Sequence, residues 1–142
     1  MLNYIKFTLA IFTITLYSCT TIKEQTKSED TTTKPQFKEI DFNEFQAISQ
    51  DPKAIIIDVR EPEELIEDGF IENSTNIPVG SIEEQWENTI KTDKDTPILT
   101  YCRSGVRSAK AATKLINMGF KNVYSLKGGI MAWKENNQPI MK

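Results

Sequence analysis

The chain has no histidine. Cys–His catalytic pairs and histidine-ligated metal are therefore excluded, since no imidazole exists to act as base or ligand. Cysteine is scarce, with Cys19 and Cys102 the two present. The apolar run from Phe7 to Leu16 falls short of the roughly 20 residues that a membrane-spanning helix needs. There is no excess of positive charge either. The formal net charge is −3, which gives no reason to expect nucleic-acid binding. Charged residues at 26% and hydrophobic ones at 39% instead fit an ordinary soluble globule, one domain with an appendage at this length. An acidic surface around a basic pocket would repel anions at long range and capture them only locally.

The most informative stretch is Thr100-Tyr101-Cys102-Arg103-Ser104-Gly105-Val106-Arg107-Ser108. Pro97 to Tyr101 reads as a short buried strand leading into it. Ala109, Ala111, Ala112, Leu115, Ile116 and Met118 then give a helix one apolar face, with Gly119 as the stop. Cys102 thus sits where a strand ends and a helix begins. Such a turn aims backbone N–H groups and the positive end of a helix dipole at its mouth. Gly105 permits the tight backbone path, and Arg103 and Arg107 add positive charge. That setting favours a thiolate, activated by dipoles and arginines with no imidazole. The spacing is C-x4-R, one residue shorter than the C-x5-R of cysteine phosphatases. The smaller ring suits one sulfur atom carried on the cysteine and is tight for a tetrahedral phosphate.

Ahead of the globular part lies a different kind of segment. Residues 1–18, with Lys6 before the apolar run, read as a secretory signal. Leu16-Tyr17-Ser18-Cys19 resembles a bacterial lipoprotein signal in which Cys19 becomes acylated, although Tyr17 departs from the small residue usual there. Two or more acyl chains hold a protein durably at a membrane, so the expectation is an exported lipoprotein of the cell envelope, on the periplasmic side or the cell surface. A Cys19–Cys102 disulfide is disfavoured, because acylation consumes one thiol and the loop is built to present the other. Residues 19–35, rich in Thr, Lys, Glu and Ser, read as a flexible tether spanning roughly 20–25 Å.

Residues 36–142 form the expected domain. Phe37 to Ile40 predicts an opening strand, and Asp41 with Glu44 a capped helix to about Ser49. Ala54 to Val59 is a β-branched run of the kind found in central parallel strands. Pro62 suits the first turn of a helix ending at Gly69. Thr75 to Ile77 predicts a strand, Ser81 with Glu84 the capped start of a helix holding Ile82, Trp86 and Ile90, and Asn122 to Leu126 the last strand. Gly128 and Gly129 precede a short helix over Ile130 to Asn136 and allow a close backbone approach to the pocket. Trp86 and Trp133 read as core. Asp58 and Cys102 both fall at the carboxyl ends of strands, where open α/β sheets bind ligands. Asp58, Arg60 and Glu64 read as a charge framework holding loops. Arg60 and Glu64 have the spacing of a local ion pair, while Asp58 has either Arg107 or loop N–H groups as its partner.

Cys102 through Ser108 resembles the active-site loop of single-domain rhodaneses, which are thiosulfate sulfurtransferases. Asp58-Val59-Arg60-Glu61-Pro62-Glu63-Glu64-Leu65, with Gly69-Phe70-Ile71 and Asn76-Ile77-Pro78, is similar to that family's upstream signature. Gly119-Phe120, Val123-Tyr124, Leu126, Gly128-Gly129 and Trp133 are similar to its closing block. Phe70 replaces a histidine common in the family, and Glu72-Asn73-Ser74 its Pro-Gly-small turn. Asn73 tolerates the left-handed conformation that such a turn needs. The resemblance, spanning Phe37 to Pro139, implies a twisted parallel five-stranded α/β sheet with helices on both faces. It also implies sulfur transfer through a Cys102 persulfide, from thiosulfate or a persulfide donor to a thiol or cyanide. Arg103, Ser104, Gly105, Val106, Arg107 and Ser108 would form the substrate-binding loop, supported by Asp58 and Arg60, with no metal or organic cofactor. Membrane attachment through lipidated Cys19 and a thiol-bearing protein partner complete the expectations. Two rivals remain: a persulfide carrier or binding module without turnover, and a phosphatase or arsenate reductase on the same fold.

Overall fold

The computed structural model describes residues 36–142. The expected signal, the tether and Cys19 lie outside the described residues. The elements run β1 (Lys38–Ile40), α1 (Phe42–Ser49), β2 (Ile55–Asp58), α2 (Pro62–Asp68), β3 (Ser74–Asn76), α3 (Ile82–Thr89), β4 (Ile98–Tyr101), α4 (Val106–Asn117), β5 (Val123–Leu126) and α5 (Gly129–Glu135). The sheet has five strands in the order β1-β5-β4-β2-β3, every pair parallel. This is the α/β architecture expected from the sequence.

Strand periodicity divides the core. Alternate side chains of a strand face opposite sides of its sheet. Ile57, Ile98, Cys102 and Val123 accordingly join Trp86 of α3 and Ala111, Ala112 and Leu115 of α4 in one buried cluster. Ile56, Leu99, Tyr101 and Leu126 join Phe45 of α1 and Ile130 and Trp133 of α5 in the other. Both tryptophans are buried, Trp86 edge-on to Phe120 and Trp133 edge-on to Phe42 and Phe45. Helix α2 buries none of its residues and is held by polar contacts instead.

Helix starts follow the sequence unevenly. Asp41 caps α1 by accepting from Glu44 N at 2.9 Å, as its spacing predicts. Ser81 precedes α3, but its side chain makes no cap bond. Its backbone sits at φ −106° and ψ 4°, away from the extended conformation a capping hydroxyl requires. Asn73 takes φ +61°, so the turn before β3 survives without glycine.

One topological feature positions the site. From β2 the chain moves outward to the edge strand β3, whereas from β4 it moves the other way to β5. The connections after β2 and β4 therefore diverge and leave a crevice at their carboxyl ends. Open α/β sheets bind ligands at such switch points. Asp58 ends β2, and Cys102 follows β4 directly.

Candidate active site

The loop from Cys102 to Gly105 folds back so that the Gly105 N–H points at the Cys102 sulfur, with N···Sγ 3.1 Å. Gly105 caps α4 at φ +102°, a left-handed conformation that disfavours any other residue. Cys102 is buried, while Arg103, Ser104 and Val106 are exposed around it. Burial pushes the Cys102 thiol up. The Ser108 backbone N–H and hydroxyl and the N–H groups of Gly105 and Ser104 outweigh it, so its pKa is lowered. Fixed dipoles thus do what a charged base does elsewhere, and the start of α4 reinforces them.

The dipoles point inward because α5 holds the other side of the loop. Ile130 N–H donates to the Cys102 carbonyl at 2.8 Å and Met131 N–H to that of Arg103 at 3.3 Å. In a trans peptide the C=O and the next N–H point in opposite directions. Engaging those two carbonyls therefore turns the N–H groups of Arg103 and Ser104 away from α5. The contact is very close. A Cβ on Gly129 would lie 2.3 Å from the Cys102 carbonyl oxygen, so the close approach expected at this glycine is present.

Behind the sulfur lies a buried hydroxyl cluster. Ser125 Oγ donates to Ser108 Oγ at 2.9 Å, and Ser108 Oγ donates to the Gly105 carbonyl at 2.9 Å. Thr100 Oγ1 lies 3.1 Å from the carbonyls of both Ser108 and Tyr124. A hydroxyl has one proton, and that of Ser108 can serve either the Gly105 carbonyl or the sulfur. Thr100 and Ser125 escaped the sequence reading. The available signal was parity, because Thr100 shares its strand face with Ile98 and Cys102.

The charged residues pair differently from expectation. Arg60 does not bond Glu64, and Asp58 does not bond Arg107 or the loop. Asp58 instead accepts from Arg60 Nε at 2.9 Å, Arg60 Nη2 at 2.6 Å and Arg60 N at 3.0 Å, with both residues fully buried. Burial works against the Arg60 charge, but bonding to Asp58 more than offsets it and raises its pKa. Arg60 Nη2 also donates to the Gly69 carbonyl at 2.7 Å, and the guanidinium lies over the Tyr101 ring. Asp58 and Arg60 therefore tie the β2 end to the C-terminal cap of α2, on the sheet face opposite Cys102.

Glu64 instead reaches across the crevice from α2 to Arg107 on α4. The pair is bidentate, with Nη1–Oε2 2.5 Å and Nη2–Oε1 2.7 Å. The Glu61 N–H adds a bond to Glu64 Oε2 at 3.1 Å. Arg107 holds the Glu64 carboxyl below its ordinary range, and Glu64 in turn raises the Arg107 guanidinium. No local spacing announces this contact, which joins positions 64 and 107. Arg103 has no carboxylate within ion-pair distance among the described residues.

The chain has relatives among known proteins. The chain is 44% identical over 81 residues to the uncharacterized protein YqhL of Bacillus subtilis. That match covers 57% of this chain and 61% of that protein's length. It is 34% identical over 104 residues to the thiosulfate sulfurtransferase GlpE of Vibrio cholerae, covering 73% of this chain and 94% of that protein. Among solved structures, a rhodanese-related protein from Thermoplasma volcanium superimposes with a TM-score of 0.63 at 31% identity, over 74% of this chain and 98% of the other. The Rhodanese-like domain family matches residues 41–136, a span holding both crevice strands and the whole cysteine loop; the chain belongs to that family.

Proposed function

We propose that this protein is a sulfurtransferase that carries a sulfane sulfur on Cys102. The family and the relative named a thiosulfate sulfurtransferase support the reaction class. The observation that carries the residue assignment is the buried sulfur with the Gly105 N–H 3.1 Å away and its pKa lowered. In the first half-reaction the Cys102 thiolate attacks the outer sulfur of thiosulfate or a persulfide. A new S–S bond forms, the donor's own S–S bond breaks, and its electron pair leaves on sulfite or on the donor thiolate. In the second, an acceptor thiolate or cyanide takes the outer sulfur, and the pair returns to Cys102. The N–H groups of Gly105, Ser104 and Ser108 stabilise the anionic sulfur throughout, which is oxyanion-hole stabilisation applied to a persulfide.

Intact-protein mass spectrometry after thiosulfate treatment tests this reading. The expected result is a gain of about one sulfur atom on the natural chain, lost on adding a thiol and absent from Cys102→Ser. A single loading with no release to any thiol or to cyanide would make the protein a carrier instead. The anchor at Cys19 belongs to the same proposal on the strength of its sequence pattern alone, and detergent-phase partition of the natural chain tests it. A protein thiol is a further acceptor of the right chemistry.

A further inference from the structure

We propose that Glu64 sets the charge of the donor, making the site favour monoanionic sulfane-sulfur carriers, such as organic persulfides, over the thiosulfate dianion. This rests on the sulfurtransferase reading and names its substrate class. The loop carries two arginines, Arg107 in the crevice wall and Arg103 exposed beside the cysteine, and their two charges alone would suit a dianion. Glu64 occupies one of them through two hydrogen bonds. A third bond, from the Glu61 N–H, also holds it there. Arg107 holds it ionised. With Cys102 as thiolate, the formal charges of Arg103, Arg107, Cys102 and Glu64 cancel before any donor arrives. The wall that supplies Glu64 also carries Glu61, Glu63, Glu67 and Asp68. Asp68 in turn pairs with Lys134.

Donor charge is separable from donor chemistry. Thiosulfate and methanethiosulfonate present the same outer sulfur on a sulfonyl centre, but replacing one oxygen by methyl lowers the charge from two to one. Cys102 attack on the latter gives the same persulfide and releases methanesulfinate. The energy between a fixed charge and a donor scales with donor charge, so the rate gain for a dianion is the square of that for a monoanion. Glu64→Gln is therefore expected to raise kcat/KM about threefold for methanethiosulfonate and about tenfold for thiosulfate at low ionic strength. Equal changes for the two donors, in either direction, would overturn the proposal and leave Glu64 a positioning residue for Arg107. Should the variant fold poorly, the natural chain carries the test. Its kcat/KM for thiosulfate should not fall as salt is added, whereas two unpaired arginines would make it fall steeply. Transfer from neither donor, with no sulfur gained on Cys102, would sink the sulfurtransferase reading itself; charge-blind transfer from both would sink the present inference alone.

Discussion

Replacing Gly129 by alanine isolates the contact that orients the loop. Gly129 has φ +58°, and the added Cβ would sit 2.3 Å from the Cys102 carbonyl oxygen and 2.7 Å from the Arg103 carbonyl group. Both neighbours are backbone, so no flexible side chain can move aside. The left-handed conformation costs an L-residue about 1 kcal/mol. Separating α5 from the loop removes the bonds from Ile130 N and Met131 N, each worth about 1 kcal/mol net. The expected destabilisation is then about 3 kcal/mol, large against the roughly 5–15 kcal/mol of a typical domain. Urea unfolding followed by tryptophan fluorescence reads it, since Trp86 and Trp133 are both buried. Gly119→Ala is the matched control: its φ is +92°, but its Cβ would meet nothing within 4 Å, so it carries the conformational cost alone. The second readout is alkylation of Cys102 at neutral pH, which should slow as the Arg103 and Ser104 N–H groups lose their orientation. If Gly129→Ala proves no costlier than Gly119→Ala, and alkylation is unchanged, then α5 does not hold the loop.

Two further outcomes follow from the buried polar groups. The lowered Cys102 pKa places the rise in alkylation rate with pH earlier than for a free thiol. Ser108→Ala removes one bond to the sulfur, so the rise should move to higher pH and the rate on its rising limb should fall about fivefold, the equivalent of ~1 kcal/mol; an unshifted profile would assign the Ser108 hydroxyl wholly to the Gly105 carbonyl. Asp58→Asn strands a fully buried guanidinium and should cost about 3–5 kcal/mol in urea unfolding. Replacing Asp58 and Arg60 together by apolar residues of similar volume should recover most of that loss, and a double variant as unstable as the single one would refute the account.

What could be read directly from the chain was whatever is local. The runs Ile55 to Asp58 and Ile98 to Tyr101 announce buried parallel strands because both faces of each are covered, and parity alone then sends neighbouring residues to opposite cores. The cysteine loop was equally legible, since a strand, a glycine and a helix start are all set by consecutive residues. The ion pairs were not. Four-residue spacing made Arg60 and Glu64 look like partners, but that rule holds inside a helix, and Arg60 precedes α2. Arg60 turns back to Asp58 in the loop, which frees Glu64 for Arg107 on the far wall. Sheet order decides that second contact, and no window of sequence contains sheet order. The hydroxyls of Thr100 and Ser125 were hidden for a related reason: a polar residue in a buried strand reveals its purpose only when its neighbouring strand and helix are known.

The absence of histidine becomes consequential once these contacts are assembled. An imidazole would lend its thiol a charge that disappears on deprotonation. Here the anion is held by peptide dipoles and a hydroxyl, with the Arg107 guanidinium also acting on it, and none of these titrates near neutrality. Reactivity should then follow a single ionisation, that of Cys102, and stay on a plateau above it. Such permanence is purchased through rigidity, because a dipole stabilises an anion only while it points at it. That requirement accounts for the carbonyls of Cys102 and Arg103 being engaged by α5, for Gly129 lying too close to tolerate a Cβ, and for Ser108 being braced from behind by Ser125. The same logic separates the two arginines. Arg107 is engaged by Glu64 across the crevice, while Arg103 is exposed and pairs with no carboxylate among the described residues.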